Sequence, residues 1–304
     1  MNPRRSACAP TLTLTLLLLF AALRAVMAQS EVRAISNSPP RDYFIVAHQD
    51  DWQLFMGDIV AKGIRAGNPT TFIYLTAGDN GREDELYWRT RERAALQSTR
   101  FIAHTPDATG IDPGCSDVAV LTHSIRKCVI GNSESYFLRL PDGKRNGAGF
   151  ASHGHRSLRK LRGKKIATIS AVDGSETYAG WDDLLSTVEA LIKSSSGDGG
   201  VLMHSTDPSI SANPHDHFDH RSTGRLVSDL RKNENWDARY YIGYALATRA
   251  PNRTGEETRE KTSIFLAYDG EMMRTNKMWG AYREHPAFYS QCMERTYGRK
   301  ARRK

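Results

Sequence analysis

Cysteine is scarce in this chain, with four residues in 304 and no pair in CxxC spacing. That spacing is what a thiolate zinc module would show, so any metal here must be sought among histidines and carboxylates. Long apolar runs are lacking beyond the first thirty residues, and no other membrane span is expected. There is no internal repeat, and between the two termini the biased stretch is Lys144 to Lys165, rich in glycine, histidine and basic residues. The remainder, with 39% hydrophobic and 25% charged residues in the chain, reads as ordinary soluble globular protein. Its length suits one large α/β domain or two small ones.

The single apolar run, Thr11 to Leu23, follows Arg4 and Arg5 and precedes the small residues ending at Ala28. Charge, apolar core and small residues in that order read as a secretory signal peptide over 1–28, with an uncleaved anchor as the alternative. The run is short against the roughly 20 residues a span needs. A secreted or periplasmic product without a stable membrane span is therefore expected. Cleavage removes three arginines and no acid, lowering the formal excess from +8 to +5. The last seven residues, 298–304, carry five of those charges. They read as a solvated tail, with attachment to an anionic surface as the sharper alternative and no nucleic-acid partner expected. Of the three remaining cysteines, Cys115 and Cys128 flank a short strand-like run and are the favoured disulfide, leaving Cys292 free.

The body of the domain, 29–297, begins with a polar lead-in. Tyr43 to Ala47 reads as a buried strand, 53–66 as a helix, Thr71 to Leu75 as a second strand and about 85–103 as a long helix. Apolar strands alternating with helices predict an α/β fold with a mostly parallel sheet covered on both faces. The section 107–165 is irregular, with strand-like pieces at Val118–Leu121 and Tyr136–Leu140, and reads as an insertion or lid. Further strands are expected at 166–172, 200–204 and 240–247. Helices are expected at 181–192, from His220 to about Leu230, and at 254–267.

Two segments carry chemistry. Ala47-His48-Gln49-Asp50-Asp51 stands at the carboxyl end of the first strand, where open α/β sheets place their ligands. One imidazole and two carboxylates there can serve as metal ligands and base. The plainer reading is an aspartate capping the next helix. The second segment, His215-Asp216-His217-Phe218-Asp219-His220, has three histidines and two aspartates in a loop that opens a helix. It offers the third ligand of a catalytic zinc with an open position for water. Asp219 could orient a neighbouring imidazole or cap that helix.

Together with the loop Thr76-Ala77-Gly78-Asp79-Asn80-Gly81, these segments resemble the PIG-L/LmbE family of metal-dependent N-deacetylases, over about 42–250. The resemblance implies a Rossmann-like fold, Zn²⁺, and removal of an N-acetyl group from a glucosamine-type sugar or glycoconjugate. By motif position it makes His48, Asp51 and His220 the metal ligands, Asp50 the general base, and His217 the oxyanion or leaving-group partner. Gln49 and Trp52 depart from the family pattern without changing a ligand; Trp52 could alter the pocket floor and hence the substrate preference. Asp79 and Arg82 could meet sugar hydroxyls or form only a turn, and Tyr87 and Trp88 could stack on a sugar or pack in the core. The rival functions are a carbohydrate- or wall-binding protein with a degenerate site, and another metal-dependent amidohydrolase or esterase on the same scaffold.

Overall fold

The computed structural model describes residues 41–104, 114–196, 200–276 and 280–301. The first apolar run becomes strand β1 (Arg41–Val46), and its side chains divide by parity. Phe44 and Val46 join Trp52, Phe55, Phe72 and Tyr74 in one core. Tyr43 and Ile45 join Ile73, Leu75, Leu184 and Leu226 in the other. A strand covered on both faces needs apolar residues at both parities, so it reads as a continuous run and not as an alternation.

Strands β2 (Thr70–Thr76), β5 (Ser133–Leu140), β8 (Val201–Thr206) and β9 (Asp237–Tyr241) run parallel to β1 in the order β9-β8-β1-β2-β5. Antiparallel strands extend the sheet at both sides. β4 (His123–Ile130) and β3 (Cys115–Val120) follow β5, and β10 (Gly298–Lys300) follows β9. Helices α1 (Asp51–Arg65), α2 (Glu85–Ala103) and α6 (Gly255–Asn276) cover one face. Helices α3 (Leu158–Arg162), α4 (Trp181–Ser196) and α5 (Phe218–Glu234) cover the other. This is the Rossmann-like, mostly parallel α/β sheet expected from the sequence.

The connection from β1 to β2 crosses on the first face through α1, and that from β8 to β9 crosses on the second through α5. β1 and β8 are neighbours, so the crossovers diverge between them. Such a switch point opens a crevice at the carboxyl ends of the strands. The segment after β1 and the one leading into α5 both border it.

Several expectations change. The 107–165 section is not all an insertion: 115–140 forms β3, β4 and β5 of the main sheet, and only the part after Leu140 is irregular. Strand β4 went unread because polar residues break up its apolar ones, which are split between the two cores: Ile125 in one, Cys128 and Ile130 in the other, with Ser124 and Val129 exposed. Of the expected strand at 166–172 only β6 (Ile169–Ser170) forms, in a small hairpin with β7 (Thr177–Tyr178). The late strand lies earlier than expected, and Tyr244–Thr248 is a 3₁₀ turn. The opening residues of the basic terminal run are strand β10, with Arg299 bonded to Asp207 at 2.6 and 3.0 Å. The segment 1–28, expected to be a signal peptide, and residues 302–304 lie outside the described residues.

Cys115 and Cys128 face each other across the β3–β4 pair and form a disulfide, while Cys292 is free and buried. Among the described residues no helix is long and apolar enough to cross a membrane.

Candidate metal centre

His48 leaves the end of β1, and Asp51 is the first residue of α1. The turn between them is closed by Asp51 itself, whose Oδ2 accepts the N–H groups of Ala47 at 3.0 Å and His48 at 2.9 Å. That leaves Oδ1 facing the crevice, buried and with no hydrogen-bond donor. His220, in the first turn of α5, arrives from the β8 side. Its Nε2 lies 3.0 Å from Asp51 Oδ1 and 3.2 Å from His48 Nδ1, and the third separation, His48 Nδ1 to Asp51 Oδ1, is 3.5 Å.

Donors around a tetrahedral ion with bonds of about 2.0–2.1 Å stand roughly 3.3 Å apart. The three separations bracket that value. The electrostatics agree with the geometry. Burial disfavours charge on Asp51, but the imidazoles of His220 and His48 outweigh it and hold the carboxyl well below its usual range. Burial likewise opposes protonation of His220, yet Asp51 and Asp216 drive its pKa up to about 10. The site thus calls for positive charge: without a metal the imidazoles carry it as protons, and a cation bound by the deprotonated ring nitrogens and Oδ1 would supply it in their place.

A surrounding layer sets the ring orientations. Asp216 Oδ1 is 3.0 Å from His220 Nδ1, which keeps the proton on that nitrogen and leaves the Nε2 lone pair for the centre. On the far side of His48, Nε2 is 3.6 Å from Asp219 Oδ2 and 3.7 Å from Asp142 Oδ2. Asp219 Oδ2 is itself fixed by the Gly143 N–H at 2.7 Å. Asp219 therefore faces His48. The cap of α5 is His217, whose Nδ1 accepts the Asp219 N–H at 3.1 Å. With Nδ1 an acceptor, the one proton of a neutral His217 sits on Nε2. Burial and the neighbouring His48 push its pKa down to about 3, which favours the neutral ring.

Asp50 caps α1 in position but makes no side-chain capping bond. Its Oδ1 is paired with Arg91 of α2. The guanidinium is held in turn by Gly78 O at 2.8 Å and the Tyr268 hydroxyl at 2.9 Å.

Other sequence candidates are engaged by other partners. Trp52 is fully buried, stacked near Phe72 with its indole N–H donated to the Tyr74 hydroxyl at 2.8 Å; it belongs to the core and not to the pocket floor. Gln49 is spent on Thr76 O at 2.8 Å. Asp79 is buried and saturated by the N–H groups of Asp142 and Gly81 and by His153 Nε2, each at 2.8 Å, as a turn residue. Arg82 lies over the Tyr87 ring, and Trp88 is buried beneath Arg89 and Arg139. His215 is an exposed loop residue at positive φ. Sequence reasoning missed Asp142 and Arg91, for which no local signal exists. It did not assign Asp216 a role, although its four-residue spacing from His220 was a usable clue.

Comparison with known proteins places these observations. The family model described as GlcNAc-PI de-N-acetylase, PIG-L, matches residues 43–230. No curated protein matches the chain. Among solved structures, it is similar to a triple mutant of a deacetylase of the teicoplanin biosynthetic pathway at 12% identity, covering 83% of this chain and 88% of that one, with a TM-score of 0.47. It is also similar to the N,N'-diacetylchitobiose deacetylase of Pyrococcus horikoshii at 15% identity, covering 86% and 84%, with a TM-score of 0.44. The matched span covers more than half of the chain and contains all three converging donors, and on that match the chain belongs to the PIG-L family of de-N-acetylases, enzymes that hydrolyse an amide.

Proposed function

We propose that this chain is a Zn²⁺-dependent hydrolase that removes the acetyl group from an N-acetylglucosamine-type sugar or glycoconjugate, with His48, Asp51 and His220 as metal ligands. The observation that carries this reading is the buried Asp51 Oδ1, left out of the turn's hydrogen bonds and facing two imidazole nitrogens at ligand spacing. Zn²⁺ held there would acidify a water towards a pKa of about 7 and polarise the amide carbonyl.

The chain's own residues do the rest. Asp50 is held through Oδ1 by Arg91, and its other oxygen is available to take a proton from the attacking water. The same carboxyl can then return that proton to the leaving amine. His217 donates Nε2–H to the oxyanion as a neutral imidazole, a contact worth about 3 kcal/mol in comparable sites. Asp142, 3.6 Å from that nitrogen, steers the ring.

Substitution Asp50→Asn tests the reading. Acetate release from N-acetylglucosamine conjugates should be abolished while zinc stays bound, and a fully active variant would show that the base is another group. Wild-type release should also stop with a chelator and return with Zn²⁺. We further propose that the protein acts outside the cytoplasm, a reading supported by its leader sequence and by the Cys115–Cys128 disulfide. The N-terminus of protein recovered from the medium or periplasm should then be Gln29.

A further inference from the structure

Between positions 144 and 165 the chain has eight lysines and arginines and no acid, as many positive charges as the net excess of the whole sequence. This is the irregular segment that follows Asp142 and Gly143, two residues of the site. Its first cations open directly onto a groove of about 630 Å³, lined by Lys144, Arg145, His215, Phe218 and Arg221 and floored by Asp216. The volume is within the roughly 300–1,000 Å³ of ligand clefts. The groove adjoins the metal centre, because Asp216 also holds His220 and Phe218 follows His217 in the chain.

Its cations are positioned but not neutralised. Arg145 is held by His215 O at 3.0 Å, Arg221 by Asn213 O at 2.9 Å, and Arg159 by Asn146 O at 2.7 Å. Arg159 and Arg221 also flank the Phe218 ring at 4.3 and 5.1 Å. Lys144 stands 5.7 Å from the Phe150 ring. Carbonyls and aromatic faces fix a guanidinium or ammonium without cancelling its charge. Among the described residues none of these four cations forms an ion pair. Asp216, the one carboxylate in the groove, is buried and committed to His220.

The positive surface continues past one small headgroup. Arg159 lies on the five-residue helix α3, and Leu161 and Arg162 of the same helix line a second groove of about 430 Å³ with Lys164, Lys165, Trp181 and one acid, Asp182; Arg162 there is paired with Asp229 at 3.3 Å, which among the described residues leaves Lys164 and Lys165 as its free cations. Arg159 touches two residues of the first groove, Asn146 and Phe218, and stands about 4.5 Å along the helix axis from Arg162 in the second. Trp181, partly exposed, offers an aromatic face there.

We propose that this paired groove is a subsite for an acidic glycan, a polymer in which carboxylate- or sulfate-bearing sugars neighbour the N-acetylated sugar at the metal centre. The proposal deepens the deacetylase reading and rests on it for the identity of the cleaved bond. A neutral chitin-type chain would leave the cations idle. A repeating anionic strand would pair with Lys144, Arg145 and Arg221 beside the centre and with Lys164 and Lys165 beyond it.

Binding and turnover are measured separately. Chelator-treated protein is titrated with a fluorescent oligosaccharide of alternating glucuronate and N-acetylglucosamine, and with a chitin oligomer of equal length. The acidic oligomer should bind about tenfold tighter or more, and the difference should shrink with added salt. The double substitution Lys144→Ala with Arg145→Ala should weaken it about tenfold, and Lys144→Arg with Arg145→Lys should restore it. The chitin oligomer should respond to neither. Equal affinity for the two oligomers, an unaltered double variant, or equally tight binding of anionic lipid vesicles or DNA overturns the proposal. Acetate release by the Zn²⁺-loaded protein is the second readout. Tight binding of the acidic glycan with no release from either oligomer refutes the deacetylase reading and leaves the groove intact. Release from chitin without preference for the acidic oligomer refutes the groove and leaves the deacetylase.

Discussion

Substituting Asp216 by alanine leaves all three proposed ligands in place and removes only the carboxylate behind one of them. In the native site Asp216 Oδ1 and His220 Nδ1 are 3.0 Å apart, and both residues are buried. Without the carboxylate, His220 Nδ1–H is a donor with no acceptor, and nothing holds the tautomer that presents Nε2 to Asp51 and His48. Loss of such a partner weakens metal binding about 10–100-fold, or about 1.4–2.7 kcal/mol. Asparagine keeps an acceptor and loses the charge, so Asp216→Asn should fall between wild type and Asp216→Ala. The assay is competition for Zn²⁺ against a chromophoric chelator at neutral pH, with circular dichroism to establish that each variant is folded. Asp216 Oδ1 also accepts the Tyr244 N–H at 3.4 Å, a contact that asparagine preserves, so Asp216→Asn carries the test if the alanine variant does not fold. Affinities for both folded variants within about twofold of wild type would refute the placement of the metal at His220 Nε2.

Three further outcomes follow from the same contacts. Trp52→Phe should cost about 1–3 kcal/mol of stability by removing the indole donor to the buried Tyr74 hydroxyl, while KM for the N-acetyl substrate is unchanged; a large change in KM would return Trp52 to the pocket. Reducing Cys115–Cys128, which closes a loop of sequence separation 13, should destabilise the protein by about 3 kcal/mol in denaturant titration, and no shift would mean that the paired strands already supply the constraint. His123 lies between Glu176 at 3.0 Å and Asp183 at 3.1 Å; burial opposes its charge, but the two carboxylates prevail and raise its pKa. Its stabilising contribution is then complete below about pH 6.5 and disappears as pH rises through the raised value, so the stability gap between wild type and His123→Gln should close on going alkaline. A gap constant with pH would contradict the ion pairs.

The parts of the fold that sequence reveals are those buried on both faces. β1, β2 and β8 are apolar at both parities because helices cover the sheet on each side, and their runs end where the crevice begins. β4 escapes because its buried apolar residues are separated by polar and exposed ones and form no continuous run. β10 escapes for a different reason: all three of its residues are exposed and two are cationic, as suits the edge of a sheet that must not pair with another chain. No hydrophobic pattern marks such a strand; it is fixed by its pairing with β9 and by the Arg299–Asp207 contact.

At the site, the legible residues are the ones adjacent in sequence. His48 to Asp51 and Asp216 to His220 each bring their chemistry within a single turn. Arg91 and Asp142 reach the same place through α2 and the end of β5, and only the order β1-β2-β5 in the sheet makes them neighbours. Adjacency also misleads. Successive residues of a helix point about 100° apart, so Asp50, Asp51 and Trp52 cannot share one target. Asp51 is drawn inward by the N–H groups of Ala47 and His48, and its free oxygen meets the imidazoles. Trp52 turns under the sheet to Tyr74. Asp50 is left towards α2, where Arg91 meets one oxygen and leaves the other for a proton. Two neighbouring carboxylates thus acquire different surroundings from the rotation of the helix that begins between them, and a variant that lengthens this turn by one residue should lose the proposed metal site and the proposed base together, measured as loss of both Zn²⁺ binding and acetate release.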